Sequence, residues 1–349
     1  MERVAHPSWK PILVFLASII TVPVVMLLKL PFGFIGVVTS FVLIQLFLHE
    51  VYLKAAERFA GAVVASVLGV LILEWLYPYP FLGLALSALL VFIFMYYFVE
   101  RLHDYGMLFA VLTLALMVNF GFFDSQKMAF VFATYWSTGI AIGCMVVVML
   151  ALGVSIKSRF CFQQAESHMV QDAKGFHLES GLIALRVVGA LVSIIALQHV
   201  LKQFDTTIQA VIAAVVVTVQ RQVHLAYHRL FFRVLGVLVG TGIAVVCGYL
   251  LEQFHIPYLS VFFIVLFLTL FSWLSQKCPA YLEYFFLQTG VMLPLILMTD
   301  TGEIYNHTIG MARALGSIEG GVVGLLWVYA LYLPIHWCRK QEIMRGGHV

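Results

Sequence analysis

Two short constellations in this 349-residue chain carry side chains able to handle an anion, and they repeat one another. Gln45, His49, Tyr52, Lys54, Arg58 and Gly61 match Gln220, His224, Tyr227, Arg229, Arg233 and Gly236 in type and spacing, each pair separated by 220 − 45 = 175 residues. Lys54 and Arg58, like Arg229 and Arg233, stand four residues apart and share one face if the segment is helical. Such a face would form a cationic vestibule that gathers anionic substrate. The plainer reading is an anchor at the inner membrane surface. The equivalent histidines, His49 and His224, could titrate or hold a carboxylate near that mouth, or serve structure alone. Anchoring does not need Gln, His, Tyr and Arg at fixed offsets, so the repeat favours substrate binding by Gln45, His49, Lys54, Arg58, Gln220, His224, Arg229 and Arg233.

Glu319 lies inside the last apolar run. An ionisable side chain within a membrane span is costly and is a functional candidate by default. It is the candidate for proton coupling, with a structural ion pair as the competing role. Arg186, one turn into another apolar run, is close enough to the interface to snorkel. Glu74, Asp124, Asp205, Asp300 and Glu303 read as outer loop charges, of which Asp300 and Glu303 would best suit an adaptor-facing surface.

The elements that must position these groups are membrane helices. The chain is 62% hydrophobic and 11% charged, with a mean hydropathy of +1.01, whereas soluble domains carry about 25% charged residues. Lipid must therefore be the solvent for most of it. Twelve apolar runs can be marked, near 11–28, 32–49, 59–77, 81–99, 105–122 and 130–152, then 182–200, 206–220, 234–252, 257–275, 282–298 and 312–335. The fifth run of each half is the least regular and could be short, broken or re-entrant.

This predicts an all-α polytopic protein of about twelve helices. A first six-helix repeat (1–152) and a second (181–349) flank a polar cytoplasmic linker (153–180). Of the 20 lysines and arginines, only Lys29, Lys127, Lys202 and Arg313 then fall outside, which puts both termini in the cytoplasm by the positive-inside rule. Six spans per repeat make the two repeats parallel.

Behind each cationic segment small residues recur every fourth position: Gly61, Ala65 and Gly69, then Gly236, Gly240, Ala244 and Gly248. Such stripes let backbones approach closely, so these glycines read as helix-packing positions, with the lining of a substrate path as the alternative. The five cysteines show no C-x-x-C spacing and read as free thiols. No metal site, cofactor motif, phosphate-cradling loop or catalytic elbow is present, and the chain reads as no enzyme. There is no basic patch with interleaved aromatics for nucleic acid.

Arg233-Val-Leu-Gly236 with Gly240 and Ala244 resembles the arginine turn and R-x-x-G-x-x-x-G of the fusaric acid resistance superfamily, which includes bacterial aromatic acid exporters. Arg186-Val-Val-Gly-Ala is similar to the family's first helix, and Arg313-Ala-Leu-Gly316 with Glu319-Gly320-Gly321 to its closing helix. The large cytoplasmic domain of many members is missing, and no arginine in the first copy matches Arg313. The resemblance therefore implies a compact, membrane-only relative in the bacterial inner membrane. It would export small organic acids by proton coupling, as a homodimer working with a periplasmic membrane-fusion adaptor and an outer-membrane channel. A passive organic-anion channel and a non-transporting envelope scaffold are the rival readings. A major-facilitator transporter would carry a glycine-aspartate-arginine loop between its second and third spans, and this chain does not.

Overall fold

The computed structural model describes residues 9–47, 50–100, 105–158, 178–201, 206–254, 258–298, 307–332 and 334. They form twelve helices: α1 Lys10–Leu27, α2 Phe34–Phe47, α3 Val51–Leu76, α4 Pro80–Glu100, α5 Tyr105–Asn119, α6 Gln126–Ser158, α7 Leu178–Leu201, α8 Thr207–Thr218, α9 Val223–Phe254, α10 Leu259–Lys277, α11 Ala280–Leu297 and α12 His307–Ala330. A π turn, Phe120–Asp124, extends α5. His49, Asp205, Asp300, Glu303, Cys161, Cys338 and most of the 153–180 linker lie outside the described residues.

Ten of the helices are long and apolar enough to cross a membrane, so the chain is a multi-pass membrane protein. The other two correct the expected twelve full spans. Helix α2 has 14 residues and α8 has 12, or about 21 and 18 Å at ~1.5 Å per residue, against a hydrocarbon core of about 30 Å. Short helices are tolerated at membrane depth when protein rather than lipid surrounds them. Both meet that condition: Val37, Leu43 and Ile44 of α2 and Val211, Ala214 and Val217 of α8 are at most 1% exposed.

The fifth run of each half is not broken, contrary to expectation. Helix α5 is the most enclosed of the ten spans, with every residue from Phe109 to Asn119 buried. Its irregularity is confined to the π turn at its end. Helix α11 continues through Pro294, which stands 294 − 119 = 175 residues after Asn119.

The chain divides into two compact units. The first comprises Met1–Phe59, Tyr135–Ser167 and Phe232–Met311; the second comprises Ala60–Thr134, His168–Phe231 and Ala312–Val349. In the first, α1 packs on α2, α2 on α11, α11 on α10 and α10 on α1. In the second, α7 packs on α8, α8 on α5, α5 on α4 and α4 on α7. Each ring joins the first two helices of one sequence half to the fourth and fifth helices of the other.

Close backbone approach holds these packings. A Cβ on Gly61 would strike the Gly106 carbonyl of α5. On α9, a Cβ at Gly236 would sit 2.9 Å from the Phe285 carbonyl oxygen, and one at Gly240 would sit 2.8 Å from that of Thr289, both on α11. Only a residue without a side chain permits such spacing. Gly69 lies against Met117 in the same manner, and Gly248 is buried.

Candidate functional site

The repeated cationic segments are not turns. Helix α3 starts at Val51 and α9 at Val223, so the side chains from Tyr52 to Arg58 and from His224 to Arg233 project from the first turns of helices. Their environments divide. His224, Tyr227 and Arg229 are exposed, whereas Arg233 is 3% exposed. In the other copy, Lys54 and Arg58 are both buried, at 5% and 2%. The equivalent arginines Arg58 and Arg233 thus share burial, while Lys54 and Arg229 do not.

Arg233 is positioned by the glycine stripe. Because Gly236 presses α9 onto α11 beside Phe285 and Gln288, the guanidinium one turn earlier meets the first turns of α11. Its Nη1 donates to Gln288 Oε1 at 3.2 Å and to the Tyr284 hydroxyl at 3.4 Å. Lys54 pairs with Glu57 at 3.0 Å on its own helix. The Arg58 charge reaches the Cys144 thiol, which itself donates to the Ala55 carbonyl at 3.5 Å.

Gln45, 4% exposed at the end of α2, is the second polar centre of the first unit. Its backbone carbonyl accepts from Lys10 Nζ at 2.7 Å, and its side-chain Oε1 accepts from the Ser275 hydroxyl at 3.3 Å. Glu283, near the start of α11, acts electrostatically on the same lysine. Gln45 and Arg233 are thereby both drawn to the first three turns of α11, together with Lys10, Ser275, Tyr284 and Gln288. Those last four were not among the residues that the sequence repeat singled out. Gln288 and Ser275 carried a usable signal: an isolated polar side chain in an apolar span needs a partner on a neighbouring helix.

Gln220 is used differently from Gln45. It is half-buried, its amide donates to the Val216 carbonyl at 3.2 Å, and its own carbonyl receives the Arg186 guanidinium. Arg186 does not snorkel to an exposed end as expected, since it is 1% exposed. Glu319 is half-buried on α12, next to Gly320, where a Cβ would strike the Ala210 carbonyl of α8. Arg313, on the same helix, is 1% exposed.

Chemically, the cluster around α11 is rich in hydrogen-bond donors and suits recognition of an acceptor or anion. Among the described residues no group of three His, Cys, Asp or Glu side chains could hold a metal ion, and Cys144, Cys247 and Cys278 are free thiols.

Comparison with known proteins gives the family. Residues 12–150 and 187–327 match the model of the family described as fusaric acid resistance protein-like. No curated protein and no solved structure matches the chain. The two matched segments span most of the sequence, and the chain belongs to the fusaric acid resistance protein-like family of multi-pass membrane efflux proteins.

Proposed function

We propose that the protein is an inner-membrane permease that exports small amphipathic organic acids, aromatic ones foremost, at the expense of a proton gradient. Arg233 carries this reading. A guanidinium buried among apolar helices costs several kcal/mol of desolvation, and here it is held in place by the neutral groups of Gln288 and Tyr284. In a low-dielectric setting its charge acts far more strongly on an incoming anion than it would in water. Exposed Arg229 and His224 on the same helix would gather the anion and pass it inward, and buried Lys54 and Arg58 would do so for the other copy. Glu319 is the proton-coupling group, and a periplasmic adaptor and an outer-membrane channel would carry the product onward from a homodimer.

The duplication supports a two-mouthed transporter. The family model matches twice, with starts separated by 187 − 12 = 175 residues, the same offset that relates Gln45 to Gln220. We read residues 1–152 and 181–349 as parallel six-helix repeats joined by a cytoplasmic linker. Inverted vesicles energised with a proton gradient test the reading. Accumulation of aromatic acids supports it, and large unitary currents without a proton requirement would replace it with a channel.

A further inference from the structure

We infer that the first three turns of α11, with the ends of α1, α2 and α10, form a preorganised binding site for a single carboxylate group. The site rests on the transport reading above and locates its substrate's charged end. The argument starts from a direction that chemistry forces. Arg233 has only donors, so the amide it meets must turn its oxygen toward it. Gln288 accordingly presents Oε1 to the guanidinium and directs its NH2 group away. That NH2 group is buried, on a residue 4% exposed, and has no hydrogen-bond partner. The amide nitrogens of Gln45 and Gln276 are in the same condition, and Gln45 is also 4% exposed.

Unsatisfied buried donors each cost about 1–3 kcal/mol, and three of them gather in one unit beside two cations. Helix packing brings them to one region. A Cβ on Gly290 would touch the Phe41 ring at 2.8 Å. Gln288 lies half a turn before that crossing and Gln45 one turn after Phe41. Gln276 adjoins Ser275, which is bonded to Gln45. Lys10 reaches the Gln45 carbonyl and senses Glu283. Setting Glu283 against Lys10 leaves the Arg233 charge for the ligand, which suits a monoanion. A carboxylate offers two oxygens and about four lone-pair directions, enough for the Gln288 and Gln45 amides with Arg233 alongside.

The second unit lacks this arrangement. At the 175-residue offset, Gln288 corresponds to Thr113 and Tyr284 to Phe109, and both are buried in α5. One carboxylate site per chain is therefore expected, not two.

The test is equilibrium binding of radiolabelled benzoate to the full chain in nanodiscs, with benzamide, benzyl alcohol and inorganic phosphate as competitors. Gln288→Glu and Gln45→Glu keep side-chain size, place a carboxylate beside Arg233 and Lys10, and repel an anion. Each is expected to weaken benzoate binding at least tenfold without lowering the thermal unfolding temperature, and the stoichiometry should be one per chain. Benzamide, benzyl alcohol and phosphate should not compete. Wild-type benzoate affinity in both variants overturns the site. So does equal competition by benzamide, or displacement by phosphate in preference to carboxylates, which would make it a lipid-phosphate or water-filled pocket. Benzoate binding lost in both variants while the wild type fails to transport would retain the site and reject the exporter. Transport that persists in both variants would reject the site and retain the exporter.

Discussion

Lys10 Nζ donates to the backbone carbonyl of Gln45 at 2.7 Å and so ties the start of α1 to the end of α2. Arg186 does the same for α7 and α8 through the carbonyl of Gln220. The last carbonyls of a helix have no intrahelical partner and carry the negative end of its dipole. A cation from the neighbouring helix answers both needs, and it does so at the repeated glutamine in each half. The same side chains would otherwise be charges without purpose inside apolar packing.

Arg186→Ala should therefore destabilise the protein by about 1.5–3 kcal/mol, the usual value of a hydrogen bond to a charged group. Arg186→Lys should recover part of the loss, because a lysine can still reach a carbonyl but lacks the planar fork. Thermal unfolding of the detergent-solubilised variants, followed by helical circular dichroism, checks both. Equal stability of all three proteins would remove the capping role.

The glycine stripe of α9 supplies its own control. Gly240 lies against the backbone of α11, whereas a Cβ at Gly242 would meet nothing within 4 Å. Gly240→Leu should cost about 1–3 kcal/mol or more through overpacking, and Gly242→Leu should leave the unfolding temperature within error. Because Arg233 is seated by the same helix contact, Gly240→Leu should also lower transport.

Orientation is testable with single cysteines in a background lacking the native ones. Lys127→Cys should react with a membrane-impermeant maleimide in intact spheroplasts, and Lys277→Cys only after permeabilisation. The reverse pattern would invert the topology drawn from the lysine and arginine distribution, and with it the assignment of the α11 cluster to the cytoplasmic side.

Glu319→Gln keeps shape and removes the titratable group. Gradient-driven export should fall to the level of vesicles without protein, while the unfolding temperature stays unchanged. Normal transport by the purified variant would take proton coupling away from Glu319.

Much of this was legible in the sequence, and the rest was not for identifiable reasons. Composition settled the membrane class, and the Arg233-to-Ala244 pattern pointed to the family. The short α2 escaped because the turn before it, with Lys29 at φ 45° and Phe32 at φ 56°, uses left-handed backbone at residues that are not glycine. Composition gives no warning of that, so 32–49 reads as one run. The central place of α5 escaped for a different reason. Lipid and protein interior are equally apolar, so hydrophobic periodicity in a span cannot say which face packs on a neighbour. Gln45 and Arg233 stood out because they recur at a fixed offset. Gln288 and Tyr284 do not recur, and only the α9–α11 packing joins them to Arg233.

The most direct test of the central claim is uptake of a panel of hydroxylated aromatic acids into inverted vesicles under a proton gradient, wild type against Arg233→Ala. Gradient-dependent accumulation that is lost in the variant, with its folding verified, is the predicted result. Accumulation by Arg233→Ala at the wild-type rate would contradict the account.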